Sequence, residues 1–597
     1  MSKTGNPMTT PATRPMRLAL SATLLAVACA SIFGAATAAE TPRRQFDILI
    51  RGGEIVDGTG APRYRGDVGI DGDTIVAIGE LSSATGRKTI DAKGLIVSPG
   101  FVDMHAHVAD DEGGSMGMLS DDPRRRAAQN YVAQGVTTTV GNPDGYQSMV
   151  LSEQRALLTR NGIGPNIALT NGHNGLRAMV MGKDQARPAT AAEIARMRAI
   201  LHEDLAKHGS FGLSLGVEYF SGRYSTADEQ LELARELPAY NGIFIPHVRS
   251  QGIAPMWYRP SVDGKTPPST LDDSIAETLR VGRETGATVV FTHMKAWGPG
   301  YRGHAQEIVD RLQAARDQGS RIYMDVYPYD SSGSDGDFVA IPPWAYGTRE
   351  RKQGERVDYA QAVDATLKAA NAKRRDDLSR DIRHTISLKG GVENIVVLAY
   401  PDQAYVGKRL SELMALRKLG DVELVLALQR EGDASLPGGA RMRSFSMDEE
   451  DIKTFYRQPW TATSTDGWVV LPEEAVGDLK YVNTNRRVFG SFPRRIAHYS
   501  QAQKVDTLEQ AIRSMSGLPA QILNLADRGR IAVGMKADVT VLDLARLRDN
   551  TTYLEPSVYP DGIDHVIVNG TPVVDGGKRT LALPGKVLSP SGSTVVP

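Results

Sequence analysis

At about 150 residues per domain, a chain of 597 residues is roughly four domain-lengths, although a single α/β barrel can absorb about 250 of them or more. With 41% hydrophobic and 23% charged residues it can fill a large core and keep a solvated surface, which excludes a cysteine- or metal-stapled mini-domain and global disorder. Lys+Arg 69 against Asp+Glu 70 leaves a net charge of −1, which excludes a general electrostatic pull toward nucleic acid or anionic lipid.

Residues 1–39 read as a signal peptide. Lys3, Arg14 and Arg17 precede the apolar run LALSATLLAVACASIFGAA, and Ala36-Thr37-Ala38 offers the small residues that a signal peptidase accepts. The reading implies a periplasmic or secreted protein with no stable membrane span after processing. The alternatives are a buried or membrane helix, disfavoured by a short Ala- and Ser-rich run, and a lipoprotein acylated at Cys29, disfavoured by Ala26 in the first position of such a signal. Cys29 is the only cysteine, so a processed chain has no disulfide, thiol nucleophile or thiolate ligand.

Residues 40–98 carry FDILIRGGEIVDGTG, YRGDVGIDGDTIVAIG and RKTIDAKGLIVSPG, in which Ile and Val alternate with polar residues and break at Gly-Gly, Asp-Gly and Lys-Gly. This predicts a small antiparallel sheet. Residues 521–597 repeat the character in GRIAVGMKADVTVLDL and IDHVIVNGTPVVDGGKRT. The two ends therefore predict one discontinuous β-sandwich domain with everything between them as an insertion. From 99 to 520 the period changes. GLIVSPGFVDMHAH, GVTTTV, GPNIALT, SFGLSLGVEY, GIFIPH, GATVVFTH, SRIYMDVYPY and WTATSTDG are short apolar segments, most of them separated by helical stretches such as AAEIARMRAILHEDLAKHG. Eight strand–helix repeats predict an α/β fold built on a (β/α)8 TIM-like barrel. The interval 335–459 is too long for a simple connection and is expected to form an insertion above the seventh strand, a candidate lid.

The chemistry gathers at the strand ends. His105 and His107 are two apart at the end of a strand, so both imidazoles point to one side and can grip one ion. His247 ends GIFIPH and His293 ends GATVVFTH, both at the C-terminal strand ends where a barrel presents catalytic groups. Structural histidines bonded to carbonyls are the bland alternative for each alone, but four at three strand ends point to one or two ions. Asp466 in TSTDG ends the eighth strand. It can bind an ion, take the proton of a water and pass it to a leaving nitrogen; the alternative is an Asx-turn. A metal lowers the pKa of water toward about 7. Zinc suits imidazole and carboxylate ligands, and Co, Mn or Ni could use the same set. Glu218 at the end of the fourth strand is expected as a ligand or bridge, with a substrate-facing or supporting role as the alternative. Arg249, Lys295 and Arg487 place positive charge near the same rim, and Tyr327 and Tyr329 end the seventh strand. An ion site has no need of these cations, so they suggest recognition of an anionic substrate, a carboxylate above all. Arg249 has pairing with a neighbouring carboxylate as its alternative.

The ordered set FDILIRGGEIVDGTG, PGFVDMHAH, QGVTTTVGN, GLSLGVEYFSGRY, PHVRSQG, FTHMKAWG, VYPYDSSGS, TSTDG, FGSFPRR and GRIAVGMKADVTVLDL resembles the N-acyl-D-amino-acid deacylases (D-aminoacylases) of the amidohydrolase superfamily over nearly the whole processed chain. The resemblance implies zinc-dependent hydrolysis of a linear N-acyl amide to a carboxylate and an amino acid, classically of D configuration. It implies His105, His107, His247 and His293 as metal ligands, Asp466 as the catalytic aspartate, and Lys295, Tyr329 and Arg487 as the group that binds the substrate carboxylate. Two departures stand out. Where the family has GNCG with a cysteine ligand, this chain has GNPDG at 141–145, which makes Asp144 the candidate replacement; and NRR at 485–487 replaces a family His-Pro-Arg. The expected partner is a small N-acyl amino acid or peptide-like molecule and no nucleic acid, with homo-oligomerisation left open. The competing readings are a dipeptidase acting on an unusual linkage, a cyclic-amide hydrolase of the same superfamily, and a periplasmic binding protein that has lost catalysis.

Overall fold

Alternation of buried and exposed side chains builds the first sheet. In β1 (Gln45–Ile55), Phe46, Ile48, Ile50 and Ile55 are buried, and β2 (Tyr64–Asp71) and β3 (Thr74–Gly79) follow as an antiparallel meander. β4 (Thr85–Asp91) and β5 (Ile96–Pro99) return to β1 in parallel, so this end of the chain is a mixed sheet rather than the purely antiparallel one expected from its turns. The computed structural model describes residues 44–110, 116–332, 338–347, 357–472 and 485–592. The leader read at 1–39, with Cys29, lies outside them, and no helix among the described residues is long and apolar enough to cross a membrane.

Seven parallel strands follow: β6 (Phe101–Asp103), continued by the short β7 (Ala106–His107), β8 (Val136–Gly141), β9 (Asn166–Leu169), continued by β10 (Asn171–Gly172), β11 (Gly212–Gly216), β12 (Ile243–His247), β13 (Thr288–Phe291) and β14 (Ile322–Val326). β15 (Ile395–Ala399) and β16 (Arg441–Ser444) then pair with each other inside the insertion, before the eighth barrel strand, β17 (Thr461–Thr463), and its extension β18 (Gly467–Trp468). β6-β8-β9 and β10-β11-β12-β13-β14-β17 are hydrogen-bonded in that order, and β18 pairs in parallel with β7 to bring the last strand back to the first. This is the TIM-barrel-like core. Its strands are buried on both faces, as a parallel sheet wrapped by helices requires.

The last strands are β19 (Val539–Leu542), β20 (Ile563–Val568), β21 (Thr571–Asp575) and β22 (Lys578–Arg579). They join the opening strands in one nine-stranded sheet, because β19 pairs antiparallel with β5. Ile48, Ile50 and Val97 from one end of the chain pack with Val539, Val541 and Ile567 from the other. Neither end could bury its apolar face alone.

The segment between β14 and β17 carries its own hydrophobic core, in which Ile382, Val397, Leu413, Leu428 and Met442 are buried together. Residues 335–337 and 348–356 of the expected insertion lie outside the described residues. The insertion grips the loop that follows β12 through one buried carboxylate. Asp381 accepts from Ser261 N at 2.9 Å, Ser261 Oγ at 2.6 Å and Trp344 Nε1 at 2.8 Å. Replacing Asp381 by alanine leaves these part-buried donors without their acceptor, and each donor left unmet costs up to about 1–3 kcal/mol. Asp381→Ala should therefore lose about 2–4 kcal/mol of stability, read as a lower denaturant midpoint; an unchanged midpoint would show that water replaces the carboxylate at no cost.

Candidate metal centre and active site

At the C-terminal end of the barrel, His105, His107, His247 and His293 converge on one carboxylate. Asp144 Oδ1 lies 3.3 Å from His293 Nε2 and 3.6 Å from His105 Nε2, while Oδ2 lies 3.5 Å from His247 Nδ1 and 3.8 Å from His107 Nε2. Asp466 Oδ1 approaches from the far side, 3.6 Å from both His105 Nε2 and His107 Nε2. Two overlapping donor sets result, His105–His107–Asp144–Asp466 and Asp144–His247–His293, with Asp144 common to both.

Local backbone geometry makes the convergence. Pro143 follows Asn142, and both Asn142 and Asp144 adopt left-handed conformations, φ 59 and 52, in a single tight turn after β8. The extra residue in GNPDG is thus absorbed by the turn, and the carboxylate still reaches the centre. Ser214 of β11 clamps the turn, donating to the Asn142 carbonyl and accepting from Gly145 N. Gly216 is needed beside it, since a Cβ there would meet the Asp144 carbonyl at 2.0 Å. His293 and Asp466 are also left-handed, at φ 35 and 49. Such residues cost about 1–3 kcal/mol each and persist only where surrounding bonds hold them. Asp325 holds His293, accepting its N–H at 2.9 Å, and the His105 carbonyl holds Asp466 N at 3.0 Å.

The donor set fits one or two divalent cations. His105 Nε2, His247 Nδ1 and Asp466 Oδ1 are buried with no hydrogen-bond partner among the described residues. Ligands at about 2.0–2.1 Å on a tetrahedral ion stand about 3.3 Å apart, close to the separations within this cluster. The electrostatics agree. Burial alone would raise both carboxyls, yet the surrounding histidines hold Asp144, and Arg487 with the histidines holds Asp466, well below the usual carboxylate range. Burial pulls His247 down, but Asp144 and Glu218 outweigh it and lift the ring to about 9. A pocket that favours a proton on a buried imidazole favours a cation in general. His105 and His293 are shifted the other way, chiefly by burial, with His293 at about 4.

Several expected residues have other positions. Glu218 lies behind His247 instead of among the ligands. Its Oε2 is 2.8 Å from His247 Nε2 and its Oε1 accepts from Met256 N at 2.6 Å, so both oxygens are engaged and the carboxylate orients the imidazole. Arg249 does not face the site. It makes a two-pronged pair with Glu277 at 3.0 and 2.8 Å and donates to the Arg223 and Ser225 carbonyls. Tyr329 turns away too, donating to Asp549 Oδ2 at 2.9 Å. The phenol beside the cations belongs to Tyr327, whose ring lies 4.8 Å from the Arg487 guanidinium and 5.1 Å from Lys295 Nζ. A single residue, Pro328, separates the tyrosines, and the Tyr329 N–H donates to the Tyr327 carbonyl at 3.0 Å, so the chain turns between them and the two rings need not share a face.

Lys295 and Arg487 are in the site. Lys295 Nζ donates to the His293 carbonyl at 2.9 Å, and burial brings its ammonium down to about 8. Arg487 is fully buried with Nη1 3.1 Å from Asp466 Oδ2, and its Nε and Nη2 have no hydrogen-bond partner among the described residues.

Other contributors escaped the sequence reading. Thr292 Oγ1, 2.6 Å from His105 Nδ1, fixes that ring. Asp103 accepts from Thr465 Oγ1 at 2.6 Å and from the Thr465 and His105 N–H groups, tying the first barrel strand to the eighth; burial pushes it up to about 7. Trp468 stacks on His107 at 5.2 Å, and Tyr219 lies 4.4 Å from the His247 ring. The one sequence signal for them was adjacency: each stands next to, or two residues from, a singled-out group.

Residues 88–574 match the model of the amidohydrolase family. A D-aminoacylase of Alcaligenes xylosoxydans xylosoxydans is 30% identical over 576 residues, spanning 92% of this chain and 99% of that protein. Among solved structures, D-aminoacylase, studied for its binuclear metal centre, superposes with a TM-score of 0.67 at 28% identity, covering 91% of this chain and all of the other. The N-acyl-D-glutamate deacylase of Bordetella bronchiseptica, solved with zinc and a phosphonate mimic of the tetrahedral intermediate, gives 0.67 at 27% identity and covers 91% of this chain and 100% of its own.

The geometry separates a ligand from an orienter. Asp144→Ala should weaken zinc binding by more than the roughly 10- to 100-fold that loss of an outer partner costs, whereas Glu218→Gln should stay within that range. Elemental analysis after dialysis against graded chelator measures both. Unchanged metal content in Asp144→Ala would reduce Asp144 to a turn residue and sink the shared-carboxylate arrangement.

Proposed function

Because the chain belongs to the amidohydrolase family, within its D-aminoacylase and N-acyl-D-amino-acid deacylase branch, we propose that it is a zinc hydrolase of linear N-acyl amino acids, N-acyl-D-amino acids in particular, acting in the periplasm or outside the cell. Family membership and the buried donor cluster together support metal-dependent amide hydrolysis. The observation that carries it is the buried Arg487 guanidinium, with two nitrogens unengaged among the described residues, beside Asp466 and within one ring of Lys295. Asp466 meets its charge through Nη1, and the Nε and Nη2 donors left over form a planar edge that suits a second carboxylate.

His105, His107, His247, His293, Asp144 and Asp466 would hold the ion or ions. A divalent cation supplies polarisation of the amide carbonyl and a lowered pKa for water. Arg487, Lys295 and Tyr327 bind the substrate carboxylate and so fix the scissile carbonyl over the histidines. Asp466 is directed at His105 and His107 through Oδ1 and at Arg487 through Oδ2. With Arg487 keeping it ionised, Asp466 takes the proton of the attacking water on Oδ2. It then returns that proton to the amide nitrogen as the C–N bond breaks, leaving a carboxylate and a free amino acid.

Asp466→Asn keeps the shape and removes the base, so kcat should fall by about 10²-fold or more. Arg487→Met should penalise an N-acyl amino acid far more than its carboxamide. Measuring kcat/KM for both variants on a matched acid and amide pair tests the assignment. Near-wild-type turnover by Asp466→Asn would remove the base, and equal losses on acid and amide would remove Arg487 from carboxylate recognition.

A further inference from the structure

Among the described residues twelve large apolar side chains are exposed, and four of them, Phe220, Ile253, Met256 and Val262, stand in two loops only, those after β11 and β12. These loops are built into the metal centre. Glu218 bonds His247 on one side and Met256 N on the other, and Phe220 is two residues along from Glu218. Tyr219, between them, lies with its hydroxyl 3.5 Å from Asp144 Oδ2 and its ring 6.0 Å from that of Tyr146. Arg223 ties the two loops together, its guanidinium 4.8 Å over Tyr224 and 5.2 Å over Trp257. Asp381 anchors the second loop at Ser261. Phe220 at 59% exposure and Met256 at 40% are therefore apolar groups held open to solvent by a fixed scaffold.

The two sides of the centre differ in kind. Arg487 stands on the Asp466 side and Tyr219 on the Asp144 and His247 side. A substrate whose carboxylate lies on Arg487 and whose carbonyl lies over the histidines has its acyl group directed to the second side. We propose that the acyl group is an extended apolar or aromatic chain, and that Phe220 and Met256 form the subsite that selects it. This rests on the deacylase reading above and names its substrate class.

The test uses the full chain loaded with zinc and N-acetyl, N-butanoyl, N-hexanoyl and N-octanoyl derivatives of one amino acid in both enantiomers. Burial of a methylene is worth about a four-fold gain at full depth, so kcat/KM should rise about two- to four-fold per methylene. Phe220→Ser and Met256→Ser should each lower the octanoyl-to-acetyl ratio about ten-fold, while Leu416→Ser, an equally exposed change on the insertion, keeps the parent ratio. A flat chain-length series, or an unchanged ratio in both loop variants, overturns the proposal while leaving the deacylase reading in place. If no derivative is hydrolysed, that reading falls, and calorimetric titration with octanoate against acetate decides the subsite alone. Octanoate should bind the more tightly by at least ten-fold and lose that advantage in Phe220→Ser; equal binding of the two acids overturns it.

Discussion

A carboxylate removed from water must be met by cations or hydrogen bonds or it will not stay ionised. Asp144 is under that constraint from every side, with four imidazoles within 3.8 Å of its two oxygens. The surrounding architecture serves to make the arrangement tolerable. Ser214 clamps the turn, Gly216 makes room for it, and the barrel brings the histidines of three strand ends to within reach of one side chain. Removing the carboxylate would take away the one group common to both donor sets and leave His247 and His293 with no carboxylate ligand beside them in the cluster, so the site is a unit and not a sum of ligands.

The same requirement shapes the layer beneath. Asp103 joins the first barrel strand to the eighth through Thr465, and Asp325 fixes the left-handed turn at His293 through its N–H while accepting from Ser464 Oγ at 2.6 Å. Burial raises both, to about 7 and about 6. Their hydrogen bonds stabilise the strand ends that carry ligands, so closure of the barrel and geometry of the site are one structural problem. Glu218 extends this layer outward, since the carboxylate that orients His247 also anchors Met256 of the neighbouring loop.

Charge is distributed unevenly around the centre. On one flank Arg487 and Lys295 are buried around Tyr327; on the other stand Tyr146 and Tyr219, with the exposed Phe220 next along the chain and Met256 tied by its N–H to Glu218. A substrate that is anionic at one end and apolar at the other would meet matching surfaces on both. The insertion between β14 and β17 contributes to the second flank at a distance, by gripping the β12 loop through Asp381.

Periodicity and strand-end position carried a large part of this in the sequence itself. Eight apolar segments separated by helical ones specify a parallel barrel, and His-x-His on a strand puts two rings on one side whatever the surroundings, because these are properties of local backbone geometry. His105, His107, His247, His293 and Asp466 could be found that way, whereas Asp144 came only from setting GNPDG against the GNCG of the deacylases that the chain resembles. Tertiary structure decided what local pattern leaves open. Glu218 and Arg249 are typical site residues by type and position, but each is engaged by a group distant in sequence, Met256 in one case and Glu277 in the other. Tyr327 and Tyr329 are equivalent in pattern, and only the location of Asp549, over 200 residues on, takes Tyr329 outward and leaves Tyr327 beside Arg487. A side chain's partner depends on which remote segments the fold brings beside it, and no periodicity encodes that.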